Sequence, residues 1–291
     1  MSSLEHNSIK TNRIRLHVVE AGPKDGAGIL FLHGFPEFWY SWQKHLTYLA
    51  DKGYRVMAPD QRGYNLSDKP KRVNDYKLDE LVSDIVGLIR ASEKETVTLV
   101  GHDWGGIVAW HVARQYPELI NKLVILNAPH EAAMVKHIRH KPSQLLKSSY
   151  IFSFQFRGVF EWSLSLFDWK PFTKTMQASS QKGTFKEADL KQYTDAWSQP
   201  RAMTSMLNWY RANGKAFVNG QEPVHVTVPT LVLWGMKDQF LDPELAHESL
   251  AYCEDGKGIL IGEGTHWVHI EEADRVSQLI SDFIEGKNDR A

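Results

Sequence analysis

The sequence predicts an α/β protein: a mainly parallel eight-stranded sheet with helices on both faces and a block of helices inserted between two strands. Three observations predict it. Short continuous apolar runs such as "GILFLHG" and "VTLVGH" alternate with segments of helical period, the order a parallel sheet requires. From about residue 130 to 222 that alternation stops, and Trp-, Phe- and Ser-rich helical patterns replace it. After this block, strand and helix alternate again.

Taken in order, two alternating runs open the chain, the clearer being "IRLHVVEAG", and both read as antiparallel edge strands. "GILFLHG" at 28–34 reads as a strand buried on both faces, and a helix is expected from Phe38 to Lys52. "YRVMAPD" at 54–60 is the next strand. "LDELVSDIVGLIRAS" then places Leu81, Ile85, Leu88 and Ile89 on one side of a helix. The strand "VTLVGH" runs into a helix over about 104–116, and the strand "NKLVILNAP" follows. Beyond the helical block come the strand "PTLVLWGMKD" at 229–238 and a helix from about Pro243. The strand "GILIGEGTH" at 258–266 and a helix over about 272–286 close the order. The expected division is a core of residues 1–129 and 223–291, with residues 130–222 forming a cap inserted after the sixth strand. Open parallel sheets bind ligands outside the carboxyl ends of their strands, the edge such a cap would cover.

The composition is that of a globular chain: 291 residues, 42% hydrophobic, 24% charged, formal net charge −1. That balance gives no reason to expect a nucleic-acid partner or a polybasic membrane patch. The single cysteine, Cys253, allows no intrachain disulfide and permits a reducing compartment, so a cytoplasmic location is the expectation. "MSSLEHNSIKTNRIRLHVVEAG" lacks the apolar core of a secretory signal, and no apolar run is long enough for a membrane span. A monomer or a homodimer fits equally. Ten Trp and thirteen Phe suit either an aromatic-lined pocket or an aromatic core.

The chemistry concentrates in "GHDWGG", where a buried strand ends in a sharp turn and a helix begins. Small residues at Gly101 and Gly105 flank Asp103, as the strained turn of a nucleophile elbow requires. Serine is the usual residue at that apex. A carboxylate there is a poor nucleophile toward esters and amides, but it can displace a leaving group from an sp³ carbon, which leaves an alkyl ester on Asp103. Two other strand ends carry Asp238, in "LWGMKDQFL", and His266, in "GEGTHWVHIEE", with His269 as a rival for the histidine. The order nucleophile, acid, histidine is that of α/β-hydrolases. Asn127 occupies the alternative acid position, in "LNAP", and supplies no charge, so Asp238 is left to orient His266. His266 would then deprotonate the water that attacks the ester carbonyl. In "LFLHGFPE", Gly34 lets the backbone bend so that the N–H of Phe35, with that of Trp104, can form an oxyanion hole. The Phe35–Pro36 bond is a candidate for the cis form.

"HGFPEFWYSW", "DQRGYNLSDKP", "GHDWGG", "LWGMKD" and "GTHW" together resemble the cap-bearing epoxide hydrolases of the α/β-hydrolase superfamily, from about residue 12 to 286. The resemblance implies the α/β-hydrolase fold and a cofactor-free reaction in which water and an apolar or aryl epoxide give a vicinal diol. It also implies two cap tyrosines that donate hydrogen bonds to the epoxide oxygen. "LNWYR" matches one of these at Tyr210; Tyr150 in "SSYIFSFQF" matches the other by spacing alone, with Tyr193 as its rival. Met203, Met206, Leu207 and Tyr210 also follow helical spacing, so a packing role for Tyr210 stays open. Phe35, Pro36, Trp104 and Trp267 are the expected substrate-binding residues, and Trp162, Trp169, Trp197 and Trp209 add apolar surface to the cap. Haloalkane dehalogenases share the Asp elbow and its following Trp, but commonly carry a halide-binding Asn where this chain has Phe35. Fluoroacetate-type dehalogenases place an arginine where this chain has Trp104. A hydrolase-fold receptor typically lacks a triad member, and none is missing. Asn65 in "RGYNLSD" departs from the usual glycine, a change asparagine tolerates because it adopts positive φ more readily than most residues.

Overall fold

A computed structural model describes residues 2–147, 153–155, 158, 161, 167–214 and 224–287. The sheet has eight strands: β1 (Glu5–Thr11), β2 (Ile14–Ala21), β3 (Gly28–Leu32), β4 (Arg55–Pro59), β5 (Val97–His102), β6 (Ile120–Leu126), β7 (Thr230–Gly235) and β8 (Gly256–Ile261). Their spatial order is β1-β2-β4-β3-β5-β6-β7-β8. β1 pairs antiparallel with β2, and β2 antiparallel with β4. All later pairs are parallel, so the continuous apolar runs sit where both faces are covered. Only β1 of the two opening strands is an edge: β2 lies between β1 and β4, which is why its Leu16, Val18 and Val19 are fully buried.

The core lies on both faces of the sheet. Leu30, Leu32, Leu99, Leu123 and Ile125 point to one side, and Ile29, Phe31, Val100, Val124 and Leu231 to the other, the period-two alternation of a pleated sheet. The first side packs against α2 (Leu78–Ala91) and α3 (Trp104–Gln115), the second against α1 (Gln43–Asp51) and α11 (Ala273–Ile284). The helix expected from Phe38 begins as a 3₁₀ turn over Trp39–Trp42 before α1. β8 stops at Ile261, short of the expected 266, because Gly262 to Thr265 turn back across the end of β7; the residues beyond carry His266 into the interior.

Between β6 and β7 the chain forms helices α4 (Glu131–His140), α5 (Ser143–Lys147), α6 (Lys170–Ala178), α7 (Glu187–Trp197) and α8 (Ala202–Asn213). Among the described residues, α9 (Glu244–Leu250) and α10 (Val268–Glu271) follow β7 and β8. The inserted helices are fastened to loops near the sheet. The Trp197 indole N–H donates to the Pro36 carbonyl at 2.7 Å, and that of Trp209 to the Arg62 carbonyl at 2.9 Å. Asn213 Nδ2 donates to the Tyr76 carbonyl at 2.9 Å, and the Gln181 N–H to Glu271 Oε1 at 2.7 Å. Each bond satisfies a polar group that burial would otherwise leave unpaired. Trp162 and Tyr150 lie outside the described residues.

Candidate active site

Asp103 occupies the turn between β5 and α3 with φ 49° and ψ −120°, a conformation unfavourable for a side-chain-bearing residue. The fold holds it there by close backbone approach. A Cβ on Gly34 would lie 2.5 Å from Asp103 Cβ, and one on Gly105 would lie 2.2 Å from the Leu32 carbonyl oxygen. These contacts give a physical reason for the small residues around the motif.

The Phe35 N–H donates to Asp103 Oδ1 at 2.8 Å, the Trp104 N–H donates to the same carboxylate, and the Phe35–Pro36 bond is cis. Asp103 Oδ2 faces His266 Nε2 at 3.8 Å, beyond hydrogen-bond length. His266 Nδ1 lies 2.8 Å from Asp238 Oδ2. Asp238 is fixed in turn: its Oδ1 accepts the Phe240 and Leu241 N–H groups at 2.8 and 3.0 Å, and its Oδ2 also accepts from Asn127 Nδ2 at 2.7 Å. Asn127 thus binds the triad acid, a part that its lack of charge did not suggest; its own Oδ1 accepts the Gly235 N–H at 3.2 Å.

Burial pushes the Asp103 pKa above the ordinary carboxylate value, against the pull of His266, His102 and the two backbone N–H donors. For Asp238 burial acts in the same direction, but His266 and the hydrogen-bond donors prevail and its pKa falls. Burial alone would depress His266, yet the Asp238 charge and hydrogen bond, with Asp103 and Glu37 nearby, raise it to about 9.

A second polar layer lies beneath the triad: Glu37, His102 and His269, all fully buried. His102 Nε2 lies 2.8 Å from the His266 carbonyl oxygen, and His102 Nδ1 lies 2.7 Å from Glu37 Oε1. Glu37 Oε2 meets His269 Nε2 at 3.0 Å. Burial opposes the Glu37 charge, but the two imidazoles hold its pKa well below the usual range. Burial pushes His269 down to about 3, so it is neutral and donates through Nε2. His269 therefore belongs to this layer, and His266 is the histidine that faces Asp103. These three residues are metal-ligand types whose donors lie within 4.8 Å of one another; His269 Nε2 and Glu37 Oε2 satisfy each other at 3.0 Å, while His102 Nδ1 and Glu37 Oε1 approach to 2.7 Å without hydrogen-bond geometry. Glu37 inside "HGFPEFW" and His102 at the end of an apolar strand were the available signals, ionisable groups at positions the fold buries.

The opposite wall is aromatic. The Tyr210 ring stands edge-on to Phe35 and Trp104, each at 5.1 Å between centroids, and to Phe154 at 5.0 Å. Phe172 packs on Phe35, and Phe240 on His266. Sequence reading missed Phe154, Phe172 and Phe240, because aromatic residues in an aromatic-rich segment carry no mark of where they point. Tyr193 instead packs on Phe38, Phe185 and Trp197 and is almost wholly buried. Pro36 turns its carbonyl to Trp197, and the Trp267 indole N–H donates to Ser179 Oγ at 2.9 Å while its ring lies 5.3 Å from that of His266. Trp169 and Trp209 are buried as well, Trp169 donating to Ser198 Oγ at 2.8 Å. Asn65 has φ 36° and donates to Asp60 Oδ2 at 2.8 Å, so the turn keeps its shape with asparagine in the glycine position.

Residues 29–273 match the family model described as the alpha/beta hydrolase fold. The chain is 44% identical over 287 residues to the AB hydrolase superfamily protein YfhM of Bacillus subtilis (strain 168), covering 99% of this chain and 100% of that protein. It is 37% identical to Epoxide hydrolase 4 of Mus musculus, over 97% of this chain and 79% of the relative. Among solved structures, an epoxide hydrolase from Bacillus megaterium in complex with an inhibitor superposes with a TM-score of 0.88 at 28% identity, over 96% of this chain and 100% of the other. VrEH1, an epoxide hydrolase from Vigna radiata, gives 0.85 at 29% identity over 97% and 98%.

Proposed function

The chain belongs to the epoxide hydrolases of the α/β-hydrolase family, and from that premise we propose that it adds water to an oxirane through a covalent ester on Asp103. The observation that carries this reading is the unequal holding of the two carboxylate oxygens. Oδ1 is occupied by the Phe35 N–H, while Oδ2 faces open distance toward His266. Oδ2 is therefore the attacking atom. It displaces the oxirane oxygen from carbon, and Tyr210 donates a hydrogen bond to that oxygen as it takes up charge. Tyr210 fits this part because its ring stands against both oxyanion-hole residues. Tyr150 is proposed as the second donor on sequence resemblance alone; Tyr193, enclosed between Phe38 and Trp197, suits packing better.

Esterification removes the Asp103 charge, one of the influences raising His266, so the imidazole becomes a better base at the moment a base is needed. Asp238 and Asn127 hold His266 with Nε2 toward the 3.8 Å gap, where a water can lose its proton and attack the ester carbonyl. The oxyanion then forms on Oδ1, already against the Phe35 N–H, with the Trp104 N–H also on this carboxylate. Residues 130–222 act as the cap, and with Phe35, Pro36, Trp104 and Trp267 they give an apolar or aryl epoxide its binding surface. No helix among the described residues is long and apolar enough to cross a membrane. The location suggested by the lone Cys253 is cytoplasmic.

The test supplies wild type, Asp103→Asn and Tyr210→Phe with an aryl epoxide and, separately, a short bromoalkane, and measures diol and bromide. Diol from wild type, lost in Asp103→Asn and sharply reduced in Tyr210→Phe, is the expected result. Bromide without diol, indifferent to Tyr210, would mean a haloalkane dehalogenase.

A further inference from the structure

The near-neutral charge of the whole chain conceals a division. Residues 130–222 carry thirteen Lys and Arg against seven Asp and Glu, whereas the rest carries twenty-one against twenty-eight. The insert is cationic and the remainder anionic. Among the described residues of the insert most cations face solvent, Arg211, its side chain buried and paired with Glu161 at 2.8 Å, being an exception. On α4 the exposed residues are Lys136, Arg139 and His140, and the one acid of that helix, Glu131, is buried. On α6 the exposed side carries Lys170 and Lys174, one turn apart, and the helix has no acid at all. Neither lysine makes an ion pair with another described residue, in contrast to Lys191, which is 2.6 Å from Asp195 on the neighbouring α7. Immediately before α6 stands Phe167, at 62% the most exposed large hydrophobic side chain among the described residues. Lys170 and Lys174 lie one turn apart on the exposed side of α6, whose other side packs inward through Met176, and Phe167 stands in the turn before it, where Asp168 and Trp169 have positive φ and Asp168 is also exposed.

We propose that the exposed side of α6 and the turn before it seat the protein on an anionic phospholipid bilayer, peripherally, with the lysines over the headgroups and Phe167 at the acyl boundary. An anionic bilayer answers both features at once. Lysines beside a negatively charged surface gain attraction that acts within a Debye length, and an aromatic ring beside them is a typical interfacial anchor. A polyanion such as RNA would satisfy the lysines but would not by itself require an apolar ring in water. The consequence for supply of substrate rests on the proposed function: an apolar oxirane partitions into a bilayer, and a cap lying on that bilayer takes it up there. The binding does not depend on that reading.

The experiment floats the full-length chain with vesicles of mixed phosphatidylglycerol and phosphatidylcholine, and with pure phosphatidylcholine, at about 0.1 M and about 1 M salt. Melting temperatures of every variant are recorded as the control for folding. Flotation on the anionic vesicles alone, suppressed at high salt, is expected. K170E/K174E should weaken it by roughly thirtyfold or more and F167S by about tenfold, both with unchanged melting. No flotation, or flotation that neither variant alters, overturns the proposal. Lysine-dependent retention on heparin, unaffected by F167S and without vesicle binding, also overturns it and marks a polyanion surface instead. Diol formation from a water-miscible epoxide, unchanged in both variants, would separate a failure of this surface from a failure of the proposed reaction.

Discussion

The two sides of the proposed active site are held by different physics. The sheet side is a polar framework in which nearly every group answers to main chain: Phe35 N–H on Asp103, Phe240 and Leu241 N–H on Asp238, and His102 against the carbonyl of His266. The insert side meets it through rings, with Tyr210 edge-on to Phe35, Trp104 and Phe154, and through indole N–H bonds at Trp197 and Trp209. Main-chain hydrogen bonds fix an atom to within tenths of an ångström, whereas ring contacts tolerate sliding. The difference teaches where each demand of the reaction is met. In the proposed reaction the bond-making oxygens stand on the rigid side, while the donor that must follow the position of a variable substrate oxygen stands on the adaptable one.

The largest expected effect breaks the rigid side. Asp103→Asn should lower diol formation by a factor on the order of 10⁴ or more, and a nearly unchanged rate would leave the comparison without its centre. His266→Gln should split the reaction instead, leaving ester formation and stopping its hydrolysis, so that an epoxide supplied in excess gives one equivalent of consumption and then none. A smaller change belongs to the adaptable side. Tyr210→Phe should slow ester formation about 10²-fold while the hydrolysis of a preformed ester keeps its rate. Loss of both steps equally would mean that Tyr210 supports the site by packing alone.

pH sharpens the same contrast. With its pKa raised to about 9, His266 is protonated in the resting site at neutral pH, and stability gained from its ion pairs is lost as pH rises through about 9. In the ester the Asp103 charge is gone, so the hydrolytic step should rise with pH through a value lower than that. Single-turnover rates of the two steps across pH check this; a hydrolytic step that falls as pH rises through the same range would contradict the role of His266 as base. Away from the reacting atoms, Trp197→Phe deletes one hydrogen bond to Pro36 and leaves a cavity in the buried aromatic cluster, and should cost about 2 to 3 kcal/mol of stability in denaturant unfolding.

The sheet and the meeting of Asp103, Asp238 and His266 were legible because both are written locally. A strand buried on both faces must be a continuous apolar run, and a strained elbow must have small neighbours at fixed positions, so "GILFLHG" and "GHDWGG" announce themselves. The layer beneath was not legible. Glu37, His102 and His269 come from three separate stretches, and nothing in any one of them reveals that a carboxylate will sit between two imidazoles. Asn127 was read by the charge it lacks, while its amide had a use as a donor to Asp238. The end of β8 was not legible because nothing in "GEGTH" marks where pairing stops after the apolar "GILI", and the chain there turns across Gly235 in space. The exposed cations of α4 and α6 were averaged away by the acidic remainder of the chain, since a net charge carries no position.

The covalent ester is the claim on which everything else depends, and it can be weighed. His266→Gln mixed with excess aryl epoxide, quenched in acid and measured by intact mass spectrometry should gain the mass of one epoxide, located by peptide mapping to the segment holding Asp103 and absent from His266→Gln/Asp103→Asn. No adduct in a folded protein, or an adduct that persists without Asp103, would contradict it.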